Sequence, residues 1–286
     1  MELLLVAAGI MAGLGFAFGL ILAVAYRFLR VQEDPRLDLV EAALPGSNCG
    51  ACGQPGCRAF AEKLLAGESK PSGCSVSSPE AVDRIADMLG VDAGQAIKRV
   101  ARLHCAGGRA QAINFAEYQG VSSCAGAGLV GAAGKSCTWG CIGLGDCDTA
   151  CTFGAISMND NGLPVVDVDK CTACGDCVVA CPRDLFEILP ADQHVLVQCS
   201  VPLAGADATA LCTVACDACG RCAQDAPGTL IVMNGNLPVV DYGAGGMASP
   251  MVVARCPTGA IQWVVGDQFQ EQAPLRVGGR QHAPVG

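Results

Sequence analysis

Aromatic side chains are scarce in this 286-residue chain, which holds 2 Trp, 3 Tyr and 8 Phe. Positive charge is scarce too: 18 Lys and Arg stand against 27 Asp and Glu, for a formal net charge of -9. That balance argues against nucleic acid as a partner, though acidity by itself names no other. Only three histidines occur, and His104, His194 and His282 are isolated, so no His/Ser/Asp catalytic set can be assembled. No G-x-G-x-x-G follows a strand and no Walker A loop is present. Gly126-Ala127-Gly128 and Gly143-Leu144-Gly145 lie among cysteines, where glycine lets backbone approach sulfur. Few aromatics with 37 Gly suit small modules held by bound groups rather than by one large apolar core.

Charge is absent altogether from Leu3 to Tyr26. Such a run is long enough to cross a hydrocarbon core of roughly 30 Å as a helix. Ala23-Val24-Ala25 resembles a signal-peptidase site, but Glu2 is the only charge before the run, the run is long for a signal, and no twin arginine precedes it. A membrane anchor is therefore expected. Arg27 and Arg30 follow it, which places the remainder in the cytoplasm by the positive-inside rule. Gly9-x3-Gly13 and Gly15-x3-Gly19 permit close helix approach, or reflect the commonness of glycine in membrane helices.

The chain holds 20 cysteines. In a reducing compartment these are ligands rather than disulfides. Cys171, Cys174, Cys177 and Cys181 read C-x2-C-x2-C-x3-C before Pro182, the ligand signature of a bacterial 4Fe–4S ferredoxin, in which the fourth cysteine serves the other cluster of a pair. Cys49, Cys52, Cys57 and Cys74 read C-x2-C-x4-C-x16-C and can wrap one site. Zinc is the alternative occupant there. Ser78, Pro79 and Gly90 bracket an expected helix, with Val82, Ile85, Ala86 and Leu89 on one face.

The second half contains a repeat. Met158–Asp167 matches Met233–Asp241 with one gap. At an offset of 75, Cys124 maps to Cys199, Cys137 to Cys212, Cys141 to Cys216, Cys147 to Cys222 and Cys181 to Cys256. Each copy is expected to be a ferredoxin-like unit with crossed ligands. In the first, Cys151, Cys171, Cys174 and Cys177 hold one cluster. Cys141, Cys147 and Cys181 belong to the other, with Leu144 at the missing middle position and Cys137 the nearest thiol to replace it. In the second, Cys216, Cys219, Cys222 and Cys256 form one cluster. The other is lost as a set, because its positions are Ala226, Gly246, Ser249 and Val252. Cys105, Cys124, Cys199 and Cys212 are left over. They make either a fifth cluster or buried free thiols, and spacing leaves open which of them share a site.

The expected fold class is α+β. It comprises a transmembrane anchor (1–30), a small helical Fe–S domain (31–95), a cysteine-containing connector (96–135), two tandem ferredoxin-like units (136–198 and a degenerate 199–266) and a flexible tail (267–286). The order of parts resembles the B subunit of the Rnf complex, in its longer anaerobe-type form. The resemblance rests on the membrane helix, the Cys49–Cys74 motif, Cys137-Thr-Trp-Gly-Cys141-Ile-Gly-Leu-Gly-Asp-Cys147 and the run Cys171–Pro182. It implies an ion-translocating ferredoxin:NAD+ oxidoreductase at the inner (cytoplasmic) membrane. In it this subunit takes electrons from soluble ferredoxin and passes them to other membrane subunits. The degenerate cluster departs from that pattern. A donor subunit of another membrane reductase, or a zinc scaffold without redox role, are the competing readings.

Overall fold

The computed structural model describes residues 2–29, 34–95, 97–243 and 248–269. Arg30, Gly246 and the tail from 270 onward lie outside the described residues. The structure is a mixture of short helices and two-stranded sheets behind one long N-terminal helix.

Helix α1 (Glu2–Leu29) takes in the uncharged run. Its stretch Val6–Phe28, 23 residues with mean hydropathy 2.2, has none of its side chains buried against the protein. Among the described residues it is the one helix long and apolar enough to cross a membrane. The next layer packs α2 (Arg36–Ala43), α3 (Cys57–Leu65) and α4 (Pro79–Leu89). Leu37, Val40, Phe60, Leu64 and Ile85 form its apolar core. Ser78 caps α4 by accepting the Ala81 N–H at 3.3 Å, Pro79 opens it, and Gly90 ends it at φ +65°. Those are the signals legible in sequence.

Among the described residues four antiparallel pairs follow. Strand β1 (Arg99–Leu103) pairs with β4 (Phe186–Pro190), from Arg99 against Pro190 to Leu103 against Phe186. Between them in sequence lies the hairpin of β2 (Ile156–Met158) and β3 (Pro164–Val166). The arrangement recurs: β5 (Val195–Val197) pairs with β8 (Ile261–Trp263), around the hairpin of β6 (Ile231–Asn234) and β7 (Leu237–Val240). Short helices sit between the strands: α5 (Cys124–Leu129), α6 (Asp146–Ala150), α7 (Asp176–Ala180), α8 (Gly205–Thr209), α9 (Arg221–Asp225) and α10 (Met251–Ala254).

The outer strand of the first arrangement, β1, begins at residue 99. Segment 111–115 is laid between the two halves. Ile113 donates to the Leu211 carbonyl and Thr213 to that of Gln111, while Ser136 donates to Ile113 and Phe115 to Gly134. The chain also stays packed past residue 266. Gln268 is buried, its Oε1 accepting the Leu103 N–H at 3.0 Å and its Nε2 donating to the Leu103 carbonyl at 2.8 Å. Phe269 packs on the core around Leu163 and Leu185. A clamp on an inner strand thus holds Gln268 and Phe269 in place.

Candidate iron–sulfur sites

All 20 cysteines are free thiols, and they border five hollows. Each holds about 300 to 350 Å³ of unfilled space, the open margin included. Cys49, Cys52, Cys57 and Cys74 border the N-terminal hollow. Cys57 opens α3, and its N–H is taken by the Asn48 side chain at 2.8 Å. Cys151, Cys171, Cys174 and Cys177 border a second, and Cys216, Cys219, Cys222 and Cys256 a third.

The loops Cys171-Thr-Ala-Cys174-Gly-Asp-Cys177 and Cys216-Asp-Ala-Cys219-Gly-Arg-Cys222 adopt one shape. Ala173 and Ala218 sit at φ +59° and +62°, each followed two residues later by a left-handed glycine. Alternating left-handed backbone of this kind turns amides inward to make an anion cradle. Cys141-Ile-Gly-Leu-Gly-Asp-Cys147 keeps the same shape, with Gly143 and Gly145 at φ +85° and +82°. Only the middle thiol is gone, replaced by Leu144.

The thiol that joins Cys141, Cys147 and Cys181 around a hollow is Cys124, not Cys137. Cys124 opens α5, against which Leu144 packs. Asp146 positions it. One carboxylate oxygen accepts the Cys124 N–H at 2.8 Å; the other accepts the Ala125 N–H and the Ser123 hydroxyl, both at 3.0 Å. Burial pushes the Asp146 carboxyl up, but these three donors outweigh it and hold the group below the usual carboxylate range. Because Asp146 itself opens α6, one side chain ties the starts of both thiol-bearing helices together.

Cys137 borders the fifth hollow instead, with Cys105, Cys199 and Cys212. This hollow lies between the two arrangements and is close to symmetric. Cys105 follows β1 by two residues and Cys199 follows β5 by two. The Cys105 sulfur accepts the Cys141 N–H at 3.3 Å; the Cys199 sulfur accepts that of Cys216 at 3.2 Å. His104 donates its backbone N–H to Leu185 as Gln198 does to Ala260. The structural counterpart of Cys199 is thus Cys105 rather than Cys124. The constant offset of 75 fails there because 31 residues separate Cys105 from Cys137, against 12 between Cys199 and Cys212. The extra length carries Cys124. Glycines line the wall where thiols come close: a Cβ on Gly107 would meet the Cys212 sulfur at 3.0 Å, and one on Gly140 the Cys137 and Cys105 sulfurs at 3.3 and 3.4 Å.

The electrostatics match the grouping. Burial, then the neighbouring Cys124 charge, pushes Cys147 up to about 12. Burial, then Cys171 and Cys174, does the same to Cys177. Burial leads again in raising Cys212 and Cys216 to about 11, and it raises Cys105 and Cys141. Such thiols ionise only when a cation compensates them. Thiolates around one zinc stand about 3.8 Å apart, since each Zn–S bond is about 2.3 Å. Among the described residues no three His, Cys, Asp or Glu side chains converge closely enough for a single metal ion. The Gln198 carbonyl oxygen is buried without a partner beside the fifth hollow, as befits a wall that faces a polar group. The position equivalent to Cys177 in the second arrangement is filled differently. Val252 is buried there with Val195, Leu230, Ile231 and Ile261, and Ala226 packs against them.

A family model described as "Putative Fe-S cluster" matches residues 44–76, and one described as "4Fe-4S dicluster domain" matches 139–186. The chain is 40% identical over 239 residues to the B subunit of the Na(+)-translocating ferredoxin:NAD(+) oxidoreductase complex of Acetobacterium woodii, covering 84% of this chain and 72% of that one. It is 37% identical over 267 residues to the B subunit of the proton-translocating ferredoxin:NAD(+) oxidoreductase complex of Clostridium ljungdahlii, covering 92% and 94%. The B subunit of the ion-translocating oxidoreductase complex of Methanosarcina acetivorans is 35% identical over 253 residues, covering 88% and 96%.

Proposed function

The chain belongs to the B-subunit family of the Rnf ion-translocating ferredoxin:NAD+ oxidoreductase complexes, an iron–sulfur electron-transfer subunit of a multi-subunit oxidoreductase, and from that premise we propose that it accepts electrons from soluble ferredoxin and relays them over five [4Fe-4S] sites to its membrane partners. The single observation that carries the number five is the distribution of all 20 cysteines over five hollows of similar size, four to each apart from Cys141, which borders two. The ligand sets are Cys49/Cys52/Cys57/Cys74, Cys151/Cys171/Cys174/Cys177, Cys124/Cys141/Cys147/Cys181, Cys105/Cys137/Cys199/Cys212 and Cys216/Cys219/Cys222/Cys256. Two tandem ferredoxin-like units, the second with one site closed by apolar side chains, account for the repeated strand pairing.

A [4Fe-4S] cluster, when bound, takes up and returns one electron at a time. What the chain supplies is thiolate, inward-facing amides and walls that limit water. It also sets the sites side by side. The Ser75 hydroxyl, next to Cys74, donates to the carbonyl of Thr172, next to Cys171, at 2.6 Å. Cys177 and Cys147 share one apolar core. Cys141 borders two hollows. The Cys216 N–H reaches Cys199. Each site therefore adjoins the next, from the N-terminal domain to the last unit. Helix α1 crosses the inner membrane once and holds this row at the cytoplasmic face beside the other subunits. Unit boundaries follow: anchor to 30, helical Fe–S domain to 95, first unit from 99 and second from 195.

The test is Cys177→Ala in the assembled complex. One cluster's worth of iron should go and oxidation of reduced ferredoxin should slow. Unchanged iron content would sink the assignment of Cys177, and unchanged ferredoxin oxidation with iron lost would sink the relay.

A further inference from the structure

The chain has five lysines. Four of them, Lys63, Lys70, Lys98 and Lys170, pair with a carboxylate at the surface. Lys135 is different. It is 6% exposed, and among the described residues no carboxylate pairs with it. Its Nζ donates to the Gly107 carbonyl at 3.1 Å and to the Cys141 carbonyl at 2.7 Å. Both carbonyls belong to the wall of the hollow bordered by Cys105, Cys137, Cys199 and Cys212, and Lys135 lines that hollow itself.

Two carbonyl dipoles orient an ammonium but do not neutralise it. A buried charge without a counter-charge is costly enough that proteins pair it. The groups near Lys135 that can carry negative charge are thiols: Cys105 and Cys141 both lie within its field. The charge also breaks the near symmetry of this hollow, for the position 75 residues on from Lys135 is Ala210, which is exposed. One flank of the bridging site therefore carries a fixed cation and the other does not.

We propose that Lys135 is the built-in counter-charge of the bridging site, a positioning residue that raises the midpoint potential of the group held by Cys105, Cys137, Cys199 and Cys212. This rests on the five-cluster reading above. Four thiolates make the bound group anionic, and the added electron makes it more so. A nearby fixed cation stabilises the reduced form more than the oxidised form, which moves the potential upward. One electron is gained, and no bond is made or broken. The bridging site then favours the electron relative to an identical ligand set without the cation, at the point where the two units meet.

The experiment is an anaerobic potentiometric titration followed by EPR on the full-length protein, with iron counted in each sample. It compares wild type with Lys135→Met, Lys135→Gln and Lys135→Arg. Gln keeps a donor for the carbonyls without the charge, and Arg keeps the charge. With about twenty irons per chain throughout, one cluster signal should shift to more negative potential in Met and Gln and stay near its wild-type position in Arg. Loss of about four irons in Met and Gln but not in Arg would support the same conclusion through loading. An unshifted potential in Met and Gln at full iron content would overturn it, as would equal loss of iron in all three, which would mean that only the shape of Lys135 matters. About sixteen irons in the wild type would instead remove the bridging cluster itself, and the proposal with it.

Discussion

Replacing Asp146 by Asn should loosen Cys124 without touching any thiol. The carboxylate accepts three hydrogen bonds at 2.8 to 3.0 Å from Cys124, Ala125 and Ser123. Asn retains one acceptor oxygen and places an NH2 where the other oxygen stood. Either the Cys124 amide or the Ala125 and Ser123 donors must then lose a partner. Charged hydrogen bonds contribute up to roughly 3 kcal/mol, but this side chain is only partly buried, so a helix-cap loss of about 1.5 kcal/mol is the better figure. That corresponds to roughly tenfold weaker retention of the cluster at this site. For a chain of this size it lowers the unfolding midpoint by about 3 to 6 °C. Asp146 is held below its ordinary value, so its contribution is present above pH of about 3.9 and disappears as pH falls through the lower folded value. The gap between wild type and Asp146→Asn should thus be constant from pH 8 to pH 5. Anaerobic thermal unfolding with iron analysis reads both effects. Equal midpoints and equal iron, or a gap that already narrows between pH 7 and pH 5, would refute the reasoning.

Other consequences follow from the same geometry. Cys124→Ala and Cys137→Ala should each cost about four irons, but from different EPR signals, and the double variant about eight; loss of one common signal would contradict separate sites. Gln268→Ala leaves two backbone groups of Leu103 without their partner, at a cost of about 1 to 3 kcal/mol, seen as a lowered unfolding midpoint with iron unchanged. Cluster assembly on the empty chain should release protons at pH 7, because burial holds Cys147 and Cys177 near 12. Metal competes with those protons, so retention should strengthen as pH rises from 7 to 9, and a flat profile would be inconsistent with protonated thiols.

Local spacing makes part of this site legible. The cysteines of Cys171-x2-Cys174-x2-Cys177 lie within one loop, and so do those of Cys216-x2-Cys219-x2-Cys222. Short loops fix which thiols meet, and the crossed-ligand rule supplies Cys151 and Cys256. Helix α4 and the hairpin around Asn159 are equally local, set by a cap, a proline and a turn. Cys124 and Cys105 are not legible in this way. Sequence alignment at a constant offset pairs Cys124 with Cys199, whereas strand register pairs Cys105 with it. Nothing in the spacing marks where the added residues enter. Asp146, Lys135 and Asn48 also escape sequence reading, because each acts through contacts that the fold creates. A capping carboxylate 22 residues downstream of the helix it caps carries no local signature. Leu144 is the one visible clue: a ferredoxin loop that keeps its glycines but loses its middle thiol must take that ligand from elsewhere.

In the proposed relay every thiol of this chain is a ligand of an electron-carrying cluster. Iron and acid-labile sulfide per chain, measured anaerobically on the full-length protein with EPR after dithionite reduction, test it most directly. About twenty of each are expected, with signals from five reducible [4Fe-4S] centres. About sixteen would contradict the bridging site, and zinc without sulfide would contradict the relay itself.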